Sequence, residues 1–294
     1  MDTTVADSIE RRASPSSGSR SIEYHNRSPP RDQILSGSLL KMWQQNLVAW
    51  RNAFGTASRS WGGAHPRHRV EADYWMTLSG ARDPMFNVVV SHGSSTTSLA
   101  ECLEQVRDLG VPTTIMLCGA SLGNARQLAD AGWICIGAVP LMAAQLEHGS
   151  ADAPARRLAR RDLPVFRSIY QSAFRTSPSA SELAISESVA NDADKSDVGG
   201  EAWGLFVDDE MVAGVITVTV GTNLCLFSMA TPEHLQRQGY GRQLLNSVLE
   251  SGASLGLERA LLNPSPAGEH FYLAAGFRVV EYWQVWSRPR WVLI

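Results

Sequence analysis

No apolar run in this sequence approaches the roughly 20 residues that a membrane-spanning helix requires, and no apolar leader core follows the N-terminus. Insertion into a bilayer is therefore not expected. Long basic stretches are also missing, and a formal net charge of -3 offers no electrostatic footprint for a nucleic acid. Cysteine is scarce: Cys102, Cys118, Cys135 and Cys225 stand apart, without the short paired spacings of a zinc site. A chain of this size does not need a disulfide framework, so the expected setting is a reducing cytoplasm, with no bound metal. Two phosphate-binding signatures are lacking as well. Gly241 is followed by Arg242-Gln243 where a Walker loop would close on Lys-Ser/Thr, and position 244, where a dinucleotide fingerprint needs a third small residue, is Leu244.

What is present is the balance of a globular chain, 44% hydrophobic and 19% charged over 294 residues, enough for one large domain or two ordinary ones. Residues 1–33, rich in Ser, Arg and Pro, are expected to be a disordered tail. From Ile34 to Phe54 the apolar positions recur at three- and four-residue steps, which predicts a helix closed by Gly55. Strands are expected at Tyr74–Leu78 and Phe86–Val90. A helix at Leu99–Leu109, capped by Thr97 or Ser98, a strand at Thr113–Leu117, a helix at Asn124–Ala131 and a strand at Trp133–Val139 follow. Glu147 to Pro154 loses all periodicity and reads as a linker, so a domain boundary is placed there. Beyond it, a strand at Arg156–Leu158 precedes a helix at Leu163–Phe174 with Asp162 as cap. Three consecutive strands then run as antiparallel hairpins over Ala202–Val207, Val212–Val220 and Leu224–Met229.

The stretch after the third strand carries the chemistry. Thr231-Pro232 breaks the strand, and the chain re-emerges after Gly239-Tyr240-Gly241 as a helix with Leu244, Leu245, Val248 and Leu249 on one face. A strand, a glycine loop and a helix N-terminus make an anion site, because the first amides of a helix are unpaired and glycine lets phosphate oxygens approach them. The expected ligand is a pyrophosphate. Downstream, Asn263-Pro264 ends a strand at Arg259–Leu262, a helix covers Ala267–Ala275, and a last strand covers Phe277–Trp286.

Gln236, Gly239 and Gly241, taken with Asn263-Pro264 and with Tyr272 four residues before Gly276-Phe277, resemble the GCN5-related N-acetyltransferase (GNAT) family, whose pyrophosphate loop has the form Gln/Arg-x-x-Gly-x-Gly/Ala. The resemblance covers about residues 155–290. It implies an α/β mixed sheet with helices on both faces, in which two strands splay to admit the pantetheine arm of acetyl-CoA. Met229, Ala230 and Thr231 would then offer main-chain groups to the pantetheine. Gln236, Arg237, Gln238, Gly239, Tyr240, Gly241 and Arg242 would hold the pyrophosphate, and Asn263 would contact CoA. The implied activity is N-acetyl transfer to a primary amine of a small molecule or protein by direct attack on the thioester, with Tyr272 as general acid. The family often has a glutamate on the strand before the loop as base. Here Asn223–Thr231 has no carboxylate, and Glu187, Glu201, Asp208 and His234 are candidates that the sequence does not rank. A CoA-binding regulatory protein without turnover, and transfer of another acyl group, are the alternatives.

The first half has no such loop. Gly93-Ser94-Ser95-Thr96-Thr97 precedes a helix and reads as an N-cap more readily than as an anion site, and His92 and Trp133 read as packing residues. Even so, NVVVSHGSSTTSLAECLEQV, PTTIMLC and ARQLADAGWICIGAV run parallel to three segments of the second half, with Ala131-Gly132-Trp133 matching Ala275-Gly276-Phe277. The expected organisation is a tail (1–33), a degenerate GNAT-like domain (34–148) and a catalytic GNAT domain (152–294).

Overall fold

The computed structural model describes residues 37–61, 67–147, 154–192 and 200–289; the expected tail and most of the expected linker lie outside them. In chain order the elements are α1 (Gly37–Ala57), β1 (Arg67–Val70), β2 (Tyr74–Leu78), β3 (Asn87–Ser91), α2 (Thr96–Leu109), β4 (Thr114–Leu117), α3 (Ala125–Asp130) and β5 (Ile134–Gln145). Then come β6 (Ala155–Arg157), α4 (Leu163–Phe174), α5 (Pro178–Ala184), β7 (Gly200–Val207), β8 (Glu210–Val220), β9 (Asn223–Ala230), α6 (Tyr240–Ser254), β10 (Arg259–Leu262), α7 (Glu269–Ala274) and β11 (Arg278–Ser287). The chain divides at Leu40 into a first unit, of which residues 37–40 are described and helical, and a second, Lys41–Ile294, that holds the sheet. No helix among the described residues is long and apolar enough to cross a membrane.

One mixed sheet runs β1-β2-β3-β4-β11-β5-β10-β9-β8-β7-β6. On one face a single core joins Trp50 and Phe54 of α1 and Phe166 and Ile169 of α4 to Phe227 and Trp283 of the sheet. The other face carries two cores: Leu244, Leu245 and Val248 of α6 with Tyr272 and Phe277, and Leu99, Cys102 and Val106 of α2 with Leu128 and Trp286. The mixed α/β architecture with helices on both faces is the one expected.

The order of elements around α2 to β5 recurs around α6 to β11, and the last strand of each half lies on the other half's side of the sheet. The pairs β3–β4 and β9–β10 are parallel, whereas β5, which ends the first half, pairs with β10, and β11, which ends the second, pairs with β4. At the centre β5 and β11 run antiparallel with Val139 opposite Trp283. The elements α6, α7 and β11 each begin 144 residues after α2, α3 and β5 (240 − 96, 269 − 125, 278 − 134).

Several local expectations are corrected. Helix α1 runs through Gly55, because the missing Cβ is needed where the Trp75 indole crosses the helix; any side chain there would collide with it. The cap of α2 is Ser95, whose hydroxyl accepts from the Ser98 amide, and not Thr97 or Ser98. Asp162 precedes α4 but makes no cap bond; its carboxylate is held by Arg156 at 2.9 Å and by the Ala159 amide at 2.9 Å. Strand β5 continues six residues past Val139, through Pro140, to Gln145. Proline is tolerated there because pairing with β10 starts only at Met142, so no ladder donor is missed.

Candidate active site

Parallel pairing of β9 with β10 stops at Cys225 opposite Leu261, although β9 continues to Ala230. The two strands part there, and the edge of β9 beyond Cys225 faces a gap. Strand β9 also carries a bulge: Gly214 pairs with Ala230 and Ile216 with Phe227, so β9 spends one more residue than β8. Ser228 takes up the extra residue with φ 52°. A bulge locally turns the backbone out of register and re-aims its groups. The bulge falls beside the gap.

The loop after β9 is held by short bonds. The Gln236 side-chain amide donates to the Thr231 carbonyl at 3.1 Å, and the Gln238 amide donates to the His234 carbonyl at 3.2 Å. Arg175, at the end of α4, reaches Glu233 at 3.2 Å across exposed surface. Arg237 and Gly239 both sit in the left-handed region, with φ 66° and 89°. That geometry delivers the chain into α6, whose first ladder bond runs from the Gln243 amide to the Gly239 carbonyl at 3.0 Å. The amides of Tyr240, Gly241 and Arg242 precede that bond and have no acceptor within the helix. A Cβ at Gly241 would stand 3.5 Å from Thr231 Oγ1, 3.7 Å from Met229 Cε and 3.8 Å from Phe271, so the helix start, the end of β9 and α7 converge there.

Tyr272 completes the group. It is 9% exposed, and its hydroxyl donates to Met229 Sδ at 3.3 Å. Phe271 and Phe277 meet its ring edge to face, at 5.0 and 5.5 Å between centroids. Burial pushes the phenol well above its ordinary pKa, so through neutral pH it is present in its protonated, hydrogen-bond-donating form. Arg242 donates to the Ala274 carbonyl at 2.8 Å at the end of α7 and lies 5.7 Å over the Phe271 ring, tying α6 to α7. Asn263 stands on the far side of the gap, where its side-chain amide donates to the Pro140 carbonyl of β5 at 2.8 Å.

The sequence-predicted residues thus divide. Met229, Thr231, Gly241 and Tyr272 come together; Ala230 is buried at the end of β9; Arg237, Gln238 and Gly239 are exposed on the loop. Among the base candidates, Glu201 is on β7, with β8 and β9 between it and the gap, and its carboxylate pairs with Arg157 at 3.1 Å. Glu187 is exposed and pairs with Arg160 at 3.3 Å, Asp208 forms the β7–β8 turn, and His234 is exposed on the loop. The sequence reading missed Ser228 and Phe271. A bulge depends on the register of β8, which no local pattern encodes, and Ser228 is not a residue type that marks φ above zero. It also missed Trp61, which meets Phe227 edge to face at 4.9 Å and brings the segment after α1 onto β9. No cluster of three or more His, Cys, Asp or Glu side chains suited to a metal occurs among the described residues.

Residues 164–277 match the model of the Acetyltransferase (GNAT) family. No curated protein sequence matches the chain. A GCN5-related N-acetyltransferase from Kribbella flavida shares the fold over 86% of this chain and 95% of its own, with a TM-score of 0.55 at 16% identity. A GCN5-related N-acetyltransferase from Sphaerobacter thermophilus does so over 83% and 92%, with a TM-score of 0.53 at 15% identity. A functionally unknown conserved protein from Staphylococcus epidermidis matches over 78% and 95%, with a TM-score of 0.55 at 11% identity. At these identities the likeness is one of fold, and it takes in both halves of the sheet.

Proposed function

We propose, for a chain whose residues 164–277 form a GNAT-family acetyltransferase domain, that it is an acetyl-CoA-dependent N-acetyltransferase acting on a primary amine of a small molecule or protein. The observation that carries this reading is the convergence of three features: the β9–β10 gap, the open N-terminus of α6 and the Tyr272 hydroxyl on Met229. The residues fit the cofactor, because the glycines at 239 and 241 leave the α6 amides unobstructed and the gap lies directly beside them. Acetyl-CoA supplies a thioester whose carbonyl carbon a neutral amine attacks, with loss of the thiolate. The loop 236–242 would hold the pyrophosphate through backbone donors and the positive end of the helix. Met229 to Thr231 would offer main-chain groups along the gap, and Asn263, anchored by Pro140, would contact CoA from the opposite wall. Tyr272 holds its proton at the hydroxyl that points to Met229 and would give it up to the departing sulfur.

A second reading, CoA binding without turnover, is favoured by one observation: β9 carries no carboxylate, and Glu201 and Glu187 are engaged with arginines. Thiol release measured with acetyl-CoA and a panel of amines separates the two. Release with any amine supports the transferase. Stabilisation by CoA with no thiol released by any of them leaves only the binding protein, and mass spectrometry of a product identifies the acyl group. For the organisation of the chain, the proposal is two GNAT-like halves, 34–148 and 152–294, supported by the repeated element order and its offset of 144 residues (240 − 96).

A further inference from the structure

We infer that the N-terminal half is the closed counterpart of the cofactor site, its loop taken up by Asp73, so that each chain binds one CoA and not two. This rests on the reading of residues 229–242 as the CoA site. Aligning the halves in sequence by the offset sets α2 against α6, and Ser95 and Thr97 fall at the positions of Gly239 and Gly241 (239 − 144, 241 − 144). The connection is also shorter, residues 92–95 against 231–239, so no arch remains to bend around a pyrophosphate.

Three structural closures follow. The first is at the loop. The Asp73 main-chain carbonyl accepts from the amides of His92 at 2.8 Å and Gly93 at 2.9 Å, and its carboxylate accepts from the Ser98 hydroxyl at 3.2 Å. That carboxylate lies so close over Gly93 that a Cβ there would collide with it. The Ser98 amide, in the first turn of α2, is itself satisfied by Ser95 at 3.1 Å. The His92, Gly93 and Ser98 donors are thus spent on the protein's own oxygens.

The second closure is between the strands. Where β9 and β10 part at Cys225, β3 and β4 stay paired from Val88–Thr114 to Ser91–Leu117. Beyond that point the Ser91 carbonyl accepts from the Cys118 amide at 3.1 Å and from the Ser121 hydroxyl at 2.6 Å. The gap that would admit a pantetheine arm is stitched shut. The third closure is electrostatic. The cavity that remains beside the loop, about 270 Å³, is lined by Glu71, Asp73 and Glu101 against Arg69 alone. Three carboxylates and one guanidinium repel a pyrophosphate.

The test uses the full chain and CoA itself as probe. Isothermal titration is expected to give one CoA per chain, and hydrogen–deuterium exchange to show protection on CoA addition at residues 229–243 and none at 88–98. Gly239→Val, which puts a branched side chain at φ 89°, is expected to weaken binding more than tenfold with no second, weaker site emerging. Should that variant fail to fold, the wild-type stoichiometry and exchange map decide alone. Two CoA per chain, or protection at 92–98, overturns the inference. A wild type that binds no CoA at all overturns instead the cofactor reading on which it rests.

Discussion

At the scale of single residues, Tyr272 is the side chain whose chemistry the fold constrains most. Its hydroxyl is desolvated, donates to the Met229 thioether and is held in its protonated form by burial. Removing that hydroxyl takes away a weak hydrogen bond and a proton donor while the ring stays packed between Phe271 and Phe277. Tyr272→Phe is therefore expected to lower kcat by about 10²-fold with little change in the affinity for CoA. Steady-state kinetics beside CoA titration checks it, and unchanged turnover at saturating substrate would take Tyr272 out of the mechanism. Gly239 and Gly241 were legible in the sequence as candidates because glycines at a helix start have a local physical meaning, and Tyr272 because its spacing before Gly276-Phe277 resembles that of the GNAT family. Phe271 and Ser228 were not. Their roles depend on which surfaces meet after folding, and neither residue type announces that.

The same distinction holds for secondary-structure elements. Strand β2, helix α4 and strand β10 fall where the sequence places them, because β2 and β10 are short runs buried on both faces and α4 shows its buried face at helical spacing. Strand β1, Arg-His-Arg-Val, escaped because it is the sheet's edge and has no apolar alternation to read. The far half of β5 escaped because Pro140 punctuates it. Gly55 is the instructive error: by propensity it should end α1, and replacing it with alanine should gain about 1 kcal/mol. The indole of Trp75 lies in the space a methyl group would need, and that indole is fixed against Phe54 and Trp283 at 6.3 Å from each ring. Overpacking of a fixed core costs about 1–3 kcal/mol, which outweighs the propensity gain. Gly55→Ala is expected to lower the melting temperature; an increase would show that the indole can move aside.

At the scale of the molecule, the exchange of β5 and β11 was not legible at all, since it concerns which half a strand joins and not what the strand looks like. Its consequence is that neither half has a complete sheet of its own, so one cooperative unfolding transition is expected. The buried thiols add a pH dependence to that transition. Burial raises Cys118 and Cys225 far above their ordinary range and Cys102 to about 12. In the unfolded chain they ionise near 8.5. A raised folded value means that stability is complete below that pH and is lost as pH rises past it, because only the unfolded state releases the protons. Melting curves between pH 7 and 10 should fall on the alkaline side, and Cys225→Ala should flatten part of the slope.

A single ion pair bears on the same cooperativity. Arg51 of α1 and Glu281 of β11 pair with side-chain exposures of 6% and 12%, and the Trp283 indole donates to Glu281 at 2.7 Å. Glu281 is thus the one acidic group of the last strand locked under the first helix of the opposite half. Its removal leaves the Arg51 guanidinium buried without its partner, at a cost of about 3–5 kcal/mol. Because β11 lies between β4 and β5, the loss should not be confined to the strand that bears it. Glu281→Ala is expected to shift one transition downward as a whole, followed by circular dichroism and by tryptophan fluorescence together. Two separated transitions would instead mean that the halves fold independently despite the exchange. Arg51→Met in the Glu281→Leu background, which replaces the charges by apolar groups of similar bulk, should recover much of the loss, since it is the stranded charge and not the missing attraction that dominates.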